Sequence, residues 1–502
     1  MNPERWSLRT RLLGAVASAA LLFLSFPPVD LGWLAFIAVV PLFMALRGVS
    51  MRVGALIGGL FGAVFYAALM SWLSLFGFLA LAALGLAMGA FFAVWGALAA
   101  RALGTLERFG RLAVVPVLWG ALEVISSRWP FGGLTWGTLG TTQHDGGPML
   151  GVARLAGLTA LGVLIGVVNA LLAEALTTRS VQPVAPAILL VAAPTLLPLG
   201  APAQAGTMSV AAVQANVPPE RFRGFGRVGR VGAEDTVIVD NHLRVSQPLV
   251  GERPPDLIVW AENAFDRDPR LNADLFAPVQ DLVRVVGAPL ILPAILDAGP
   301  GFTNSNLLLD RDGQIVQRYD KVHLVPFGEY VPWGFARSIV PALRVELPVD
   351  GVPGEGLVPF DLDGIRVGTM ICFESTYPWH ARDLARLGSQ VLVVTTNNAS
   401  FQRSAASEQH LIQSQMRAVE TGRSVVHTAI SGISAIIEPD GSIRLRTGLF
   451  EEALLREDIF LSEGQTPATR FGRGIELGIA LAAALATGEA LARGRARRRR
   501  AV

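Results

Sequence analysis

Two residues that occur only once in the sequence have side chains suited to covalent chemistry. Cys372 is the single cysteine and Lys321 the single lysine, although the 502-residue chain has 42 lysine and arginine residues in total. A thiol is nucleophilic as the thiolate and has an ordinary pKa of about 8.5, so a cysteine nucleophile needs a base within hydrogen-bond reach. One lysine in a chain that otherwise uses arginine indicates a need for a compact, tunable amine.

Glu262 is the carboxylate that would complete this chemistry. It lies at the end of the apolar run 256–263, a predicted buried strand, and burial raises the pKa of a carboxylate and makes it a stronger base. The ammonium of Lys321 would favour the thiolate and stabilise a tetrahedral oxyanion, with the backbone N–H of Phe373 as a second donor. Together with Cys372, these groups are sufficient for acyl transfer through a thioester.

Each of the three side chains also has a purely structural interpretation. A lone cysteine at the end of an apolar strand is usually a small buried hydrophobic residue, and a strand-end glutamate or a lone lysine more often lies in solvent. The joint occurrence of the three types beside polar loops favours catalysis. Their spacing in the sequence does not by itself show that they converge.

The elements that would position these residues alternate between β and α from residue 207 onwards. Short apolar runs predict strands, with helical stretches between them, and a Pro-Asp-Gly turn predicts a hairpin at 433–445. The predicted strands are 208–217, 256–263, 289–296, 366–375, 391–400 and 424–431, and the predicted helices are 233–248, 271–286, 379–387 and 404–421. Lys321 lies in an irregular segment rich in Pro and Gly. The pattern predicts an α/β sandwich with its site at the carboxyl ends of strands.

The remainder of the chain is too apolar for a soluble protein. The sequence is 52% hydrophobic and 16% charged, against about 25% charge in soluble proteins. A bilayer needs about 20 apolar residues per helix, which predicts about eight membrane helices. The predicted spans are 12–26, 31–46, 54–75, 78–100, 112–125, 155–176, 185–199 and 475–491. The predicted organisation is therefore a membrane domain at 1–205, an extramembrane domain at 206–474, a last helix at 475–492 and a basic tail at 493–502.

Arginine residues mark every second loop between the predicted spans. Arg47, Arg101 and Arg179 follow the second, fourth and sixth spans, and the tail is also basic. The positive-inside rule then places both termini in the cytoplasm and residues 206–474 outside. A cleaved signal peptide is disfavoured, because the small residues at 17–19 fall within the apolar run and not after it.

Several classes of partner and cofactor are not expected. The net charge of +2 gives no indication of nucleic acid as a partner, and one cysteine excludes an internal disulfide framework. The six histidines show no metal-ligand spacing. The glycine-containing segment 224–229 neither follows a predicted strand nor opens a clear helix, so it does not predict a nucleotide site.

Longer motifs resemble the bacterial apolipoprotein N-acyltransferases. That family has a nitrilase-like αββα domain inserted before the last of eight membrane helices, and the resemblance covers nearly the whole chain. The motif of highest specificity is YDKVHLVPFGEYVP at 319–332. The other similar segments are WPFGGLTWGTLGTTQ (129–143), WAENAF (260–265), ICFES (371–375), TTNNASF (395–401), SEQHLIQSQMRAVETGRSVV (407–426) and ISGISAIIEPDG (430–441).

The resemblance implies a role for each matching residue. Glu262 corresponds to the general base, Lys321 to the oxyanion partner and Cys372 to the nucleophile. Glu329 matches a second acidic residue that supports the base and the lysine, and Glu374 would brace the turn that follows the nucleophile. No cofactor or metal is implied.

Some positions beside these residues depart from the family pattern. Phe373 stands where tyrosine is frequent, Asn398 and Ser400 replace aspartate and tryptophan, and Gln402 replaces glycine. The pattern resembles an actinobacterial variant. These changes flank the site and bear on the preference for lipid or acceptor, not on the reaction class.

The implied activity is a two-step transfer at the outer face of the cytoplasmic (inner) membrane. A phospholipid would donate an acyl chain to Cys372, and the α-amino group of the N-terminal diacylglyceryl-cysteine of an apolipoprotein would accept it. Trp333, Phe335, Phe222 and Phe225 are the candidates for a lipid-binding opening towards the bilayer.

Two other functions are alternatives to acyl transfer to an apolipoprotein. A membrane-anchored nitrilase or amidase would use the same three residues and release its acid to water. A transporter with an extracytoplasmic binding domain is disfavoured, because Glu123 and Asp145 are the few ionisable residues near membrane depth and transport pathways usually contain more.

Overall fold

The computed structural model describes residues 3–145, 147, 149–196, 203–217, 233–339, 347 and 349–500. The chain forms two compact units, one of Met1–Leu199 with Phe471–Val502 and one of Gly200–Arg470. The first unit is helical, and the second consists of β-sheets with flanking helices.

The regular elements follow one another in the order that the β/α pattern indicates. The described helices are α1 Leu8–Phe23, α2 Ala35–Ala38, α3 Val40–Ala45, α4 Met51–Leu69, α5 Phe78–Thr105, α6 Arg108–Ser126, α7 Leu150–Ala156, α8 Leu158–Thr178, α9 Val184–Ala192, α10 Ala233–Ser246, α11 Ala273–Val286, α12 Ala336–Ile339, α13 Pro378–Arg386, α14 Ala406–Thr421 and α15 Pro467–Arg500. The described strands are β1 Gln204–Gln214, β2 Leu257–Trp260, β3 Leu290–Ala298, β4 Gly301–Leu309, β5 Ile315–Asp320, β6 Phe360–Leu362, β7 Ile365–Ile371, β8 Val391–Thr396, β9 Val425–Ala429, β10 Ala435–Ile437, β11 Ile443–Arg446 and β12 Ala453–Ser462.

Four helices in the described part of the chain are long and apolar enough to cross a membrane. They are Met51–Leu69, Phe78–Thr105, Leu158–Thr178 and Pro467–Ala496. The other predicted spans coincide with α1, α2 with α3, α6 and α9, which are shorter or carry more charge. A helical membrane domain is therefore confirmed, and the exact number of eight spans stays a prediction.

Glycines let α4 and α5 pack closely. A Cβ atom at Gly58 would lie 2.2 Å from the carbonyl oxygen of Phe92, and one at Gly96 would lie 2.3 Å from that of Gly54. Small residues at such crossings let helix backbones approach each other in a bilayer, where no hydrophobic effect drives helices together. Larger side chains at these two positions would force the helices apart.

The second unit contains two six-stranded sheets formed by the described strands. Their strand orders are β12-β1-β2-β3-β4-β5 and β11-β10-β9-β8-β7-β6. In each sheet the central strands are parallel, namely β1 to β3 and β7 to β9. Their carboxyl ends therefore share one edge of each sheet, where side chains and loops can form a site.

The side chains of the strands alternate between two cores. In β1, Val210 and Ala212 face the core that joins both sheets, together with Val367 and Val393 of the other sheet. The residues between them face the outer helices, as Ala211 does against Val283 of α11. A third core packs β7 to β10 against α13 and α14. The order of layers is helix, sheet, sheet, helix, as the sequence predicts.

Two strands were predicted too long, and some strands were not predicted. The strand predicted at 366–375 ends at Ile371, and the strand predicted at 391–400 ends at Thr396. In both places the backbone turns away from the sheet. The hairpin at 433–445 is confirmed as β10 and β11. Strands β4, β5, β6 and β12 were not predicted. Most side chains of β12 are half-buried, so this strand lacks a clear alternating pattern.

Candidate active site

Cys372 lies immediately after β7, on the first residue of a short helical turn. Its φ of 52° is in the left-handed region, which is uncommon for a residue with a side chain. Such backbone strain is concentrated at functional sites. The half-buried thiol receives a hydrogen bond from the hydroxyl of Thr396, with 3.4 Å between Oγ1 and Sγ.

Glu374 holds this strained turn in place. Its buried carboxylate accepts the N–H of Ile371 at 2.8 Å, so it anchors the residue just before the thiol. It also accepts the N–H groups of Val322 and His323 at 2.7 and 3.0 Å and the hydroxyl of Tyr319 at 2.9 Å. Burial raises the pKa of Glu374, and these donors oppose the rise. One carboxylate thus joins the cysteine turn to the segment that carries Lys321.

Replacing Glu374 by glutamine is expected to destabilise the protein and to displace the thiol. The amide has a donor where the carboxylate accepts several N–H groups, and a buried hydrogen bond lost in this way costs about 1–3 kcal/mol. Thermal unfolding of the purified protein and the labelling rate of Cys372 by a thiol reagent measure the two effects. Glu408→Gln, at a half-exposed ion pair with Arg446, is the control, since such pairs contribute at most about 1 kcal/mol. An equally small shift for both variants would contradict the bracing role.

Lys321 follows β5 and is 1% exposed. Its Nζ lies 2.9 Å from Oε2 of Glu329 and 3.4 Å from Oε1 of Glu262. Burial lowers the pKa of the ammonium, but the carboxylates of Glu329 and Glu262 more than compensate and raise it above the ordinary lysine value. Lys321 is therefore a permanent cation inside the protein.

Glu262 follows β2 by two residues and is 4% exposed. Its Oε1 accepts a hydrogen bond from Nδ2 of Asn304 at 2.8 Å, and its Oε2 accepts the N–H of Asn397 at 2.7 Å. Burial raises the pKa of Glu262, while Lys321 opposes the rise. The carboxylate is fixed at both oxygens and is more basic than an exposed one.

Two consecutive residues at the end of β8 join the thiol to the carboxylate. Thr396 donates to Sγ of Cys372, and the next N–H, that of Asn397, donates to Glu262. Burial and the charge of Glu262 raise the pKa of the Cys372 thiol to about 12, and Lys321 opposes the rise. The charges of Glu262 and Lys321 therefore act in opposite directions on the Cys372 thiol, so the three groups are electrostatically coupled.

Two functional residues were missed by the sequence analysis. Asn304 of β4 donates through Nδ2 to Glu262 and, at 3.0 Å, to Glu329. His410 of α14 lies with Nε2 at 3.1 Å from the carbonyl oxygen of Cys372 and 3.0 Å from the hydroxyl of Ser375. Burial lowers the pKa of His410 to about 4, which favours the neutral form of the ring. Asn304 had no motif around it, whereas His410 lies in the segment 407–426 that resembles the family.

Of the four aromatic residues predicted to bind lipid, the structure describes two. Trp333 and Phe335 are 47% and 62% exposed, and their rings stack with 6.0 Å between centroids. Phe222 and Phe225 lie outside the described residues. The Phe373 side chain packs edge-on against Tyr377, with 5.5 Å between ring centroids. An exposed aromatic pair therefore exists near Lys321 in the sequence.

Among the residues that the structure describes, no group of three or more His, Cys, Asp or Glu side chains could hold a metal ion.

Two family models match the chain over most of its length. Residues 18–171 match the apolipoprotein N-acyltransferase N-terminal domain, and residues 209–467 match the carbon-nitrogen hydrolase family. The apolipoprotein N-acyltransferase of Geobacter metallireducens is 31% identical over 492 residues, with 92% of each chain covered. That of Mycolicibacterium smegmatis is 32% identical over 509 residues, covering 92% of this chain and 82% of the relative.

The chain belongs to the apolipoprotein N-acyltransferase family. As a member of the apolipoprotein N-acyltransferases it is a membrane enzyme of acyl transfer, which confirms the resemblance of the longer motifs. The actinobacterial assignment stays a prediction, since relatives from both genera match about equally well.

Solved structures of the nitrilase superfamily are also similar to part of this chain. A mutant of the Nesterenkonia AN1 amidase has 19% identity and a TM-score of 0.39, covering 52% of this chain and 93% of the amidase. A carbon-nitrogen hydrolase from Helicobacter pylori has 16% identity and a TM-score of 0.38, covering 54% and 93%.

Proposed function

We propose that the protein transfers an acyl chain from a phospholipid to the α-amino group of the N-terminal diacylglyceryl-cysteine of apolipoproteins. The observation that carries this proposal is the contact of Lys321 with two buried carboxylates beside the thiol of Cys372, in a chain of this family. The long apolar helices support a lipid-dissolved donor and acceptor.

The first step forms an acyl-enzyme. Glu262 takes the proton of the Cys372 thiol as sulfur attacks the ester carbonyl carbon of the phospholipid. The ammonium of Lys321 and the N–H of Phe373 stabilise the tetrahedral oxyanion. The ester C–O bond then breaks, Glu262 returns the proton to the leaving oxygen, and a lysophospholipid departs from the thioester.

The second step forms the amide. The α-amino nitrogen of the acceptor attacks the thioester carbonyl, and Glu262 takes its proton. The oxyanion occupies the same place near Lys321. The C–S bond breaks, and the thiolate of Cys372 recovers a proton from Glu262. Glu329 keeps the ammonium of Lys321 charged, and Glu374 keeps the thiol in position. Glu262 returns in each step the proton that it takes, so the protons balance.

The proposed topology gives the site access to both substrates. Residues 206–474 form the catalytic domain on the outer face of the inner membrane, between helices in 1–205 and the helix at 475–492, and the tail at 493–502 lies in the cytoplasm. Exposed stacked rings of Trp333 and Phe335 are suited to contact acyl chains at a membrane surface.

Intact-mass measurement tests the acyl-enzyme directly. Wild-type protein incubated with phospholipid is expected to gain the mass of one acyl chain on Cys372. Addition of a diacylglyceryl lipopeptide should then remove that mass and yield the N-acylated peptide. A phospholipid with ether linkages in place of esters is the control and should give no adduct.

The same experiment separates transfer from hydrolysis. A hydrolase would release free fatty acid at the same rate with and without lipopeptide, and no N-acylated peptide would form. That result would overturn the proposed acceptor while leaving the thioester in place. A complete lack of adduct and of peptide product would overturn the proposed mechanism.

A further inference from the structure

The helical unit contains a basic cavity formed by the ends of several helices. Its volume is about 470 Å³, and Arg47, Arg111 and Arg179 line it together with a single carboxylate, that of Glu4. Arg47 follows α3, Arg111 lies in the first turn of α6 and Arg179 follows α8, so residues far apart in the sequence meet here. The three arginines outnumber the carboxylates beside them, which are Glu4 in the lining and Glu174, the ion-pair partner of Arg47.

Buried contacts fix Arg47 at this cavity. Its Nη2 lies 2.5 Å from Oε2 of Glu174, a residue 2% exposed, and the side chain of Arg47 is 13% exposed. Arg11, also buried, donates to the carbonyl oxygens of Ala45 at 2.6 Å and of Arg47 at 2.7 Å. The position of Arg47 is thus fixed by contacts within the protein, so this wall of the cavity does not depend on a ligand.

The arginines retain unused hydrogen-bond donors. The Nε atoms of Arg47 and Arg111 are buried and have no hydrogen-bond partner in the part of the chain that the structure describes. Within the same residues, neither Arg111 nor Arg179 has a carboxylate within 4.0 Å, the limit for an ion pair. A buried donor without an acceptor is unfavourable, because it has lost its hydrogen bonds to water. An anion with several oxygens would supply the missing acceptors and offset the repulsion among the guanidinium groups.

The distribution of these arginines distinguishes the cavity from ordinary loop arginines. Loop arginines that only set membrane topology are solvated and need no common partner. Here three guanidinium groups line one cavity, and guanidinium binds phosphate through paired N–H donors. Basic pockets between membrane helices bind phosphate-bearing lipid headgroups. A headgroup amine would be repelled by the excess of positive charge.

We propose that this cavity binds the phosphate group of an anionic, amine-free ligand, either a phospholipid headgroup such as phosphatidylglycerol or free inorganic phosphate. Arg111 and Arg179 bind the phosphate oxygens, and Arg47, oriented by Glu174, completes the site. All of these residues belong to the helical unit, whereas Cys372 lies in the other unit.

Native mass spectrometry of the full-length protein in detergent tests the proposal. The wild-type protein is titrated with phosphatidylglycerol, with phosphatidylcholine of the same acyl chains, and with inorganic phosphate alone. The variant Arg111→Gln/Arg179→Gln is compared with Arg9→Gln/Arg52→Gln, which removes the same charge from exposed arginines of α1 and α4 outside the cavity. We expect phosphatidylglycerol to bind at least about tenfold more tightly than phosphatidylcholine, a preference lost in the first variant and kept in the second.

The arms with inorganic phosphate identify the source of the ligand. Displacement of phosphatidylglycerol by millimolar phosphate, or phosphate binding that only the first variant loses, supports a phosphate site open to both sources. Retention of phosphatidylglycerol against phosphate supports a lipid headgroup site. Equal binding of both lipids together with no phosphate binding by wild-type protein would overturn the proposal, and this result does not depend on the folding of any variant. Equal loss in both variants would also overturn it.

Discussion

Replacement of Cys372 by serine is expected to abolish acyl transfer, with a loss of at least about 10⁴-fold in rate, the scale seen when a covalent nucleophile is removed. The hydroxyl is nearly isosteric with the thiol, so the hydrogen bond from Thr396 and the left-handed turn can persist. A serine hydroxyl is a much weaker nucleophile, and Glu262 is too weak a base to ionise it. Transfer to a diacylglyceryl lipopeptide and the acyl adduct on the enzyme are the two measurements.

A buried residue away from the thiol provides the matched control. Ser389 is fully buried, precedes β8 at the opposite end of that strand from Thr396, and its hydroxyl has no partner among the described residues. Ser389→Ala should therefore keep both activity and the acyl adduct. If Cys372→Ser still transferred acyl chains at a rate near that of the wild-type protein, the thioester mechanism would be wrong.

The sequence predicted the alternation of strands and helices and singled out Cys372 and Lys321 because both leave local signals, whereas the order of the layers followed from the resemblance to the family. Apolar runs such as 391–396 report buried strands, and a lone cysteine and lysine are visible in composition. Edge strands such as β12 leave weaker signals, because half of their side chains face solvent or loops and alternation is lost. The end of β7 was predicted too late in the chain, since Glu374, Ser375 and Thr376 are buried although the strand has already ended at Ile371.

The part of the site that sequence could not predict is the part made by pairing between distant segments. Asn304 contacts Glu262 and Glu329 because β4 lies beside β3 and β5, a register that no local pattern encodes. Thr396 contacts Cys372, and the next residue, Asn397, contacts Glu262. These two contacts likewise require the two sheets to face each other. Types of residue were predictable, whereas the hydrogen bonds that orient them were not.

Replacement of Glu262 by glutamine is expected to lower the rate of acyl-enzyme formation by about 10²–10⁴-fold, the usual contribution of a general base. The amide keeps the size of the side chain but cannot accept the thiol proton. Lys321 stays charged, because the carboxylate of Glu329 remains 2.9 Å from Nζ. Single-turnover formation of the acyl adduct, measured by intact mass, isolates this step from the later transfer.

The pH dependence of the same step identifies the base. The active form has Glu262 ionised, so the rate should fall as pH decreases through the pKa of Glu262. Because burial raises that pKa, the midpoint should lie above the ordinary glutamate value of about 4.3. The fall should disappear in Glu262→Gln and persist in Glu452→Gln, which removes an exposed carboxyl paired with Arg244. If the rate of Glu262→Gln still fell at acidic pH as in the wild-type protein, the base that takes the thiol proton would be a group other than Glu262.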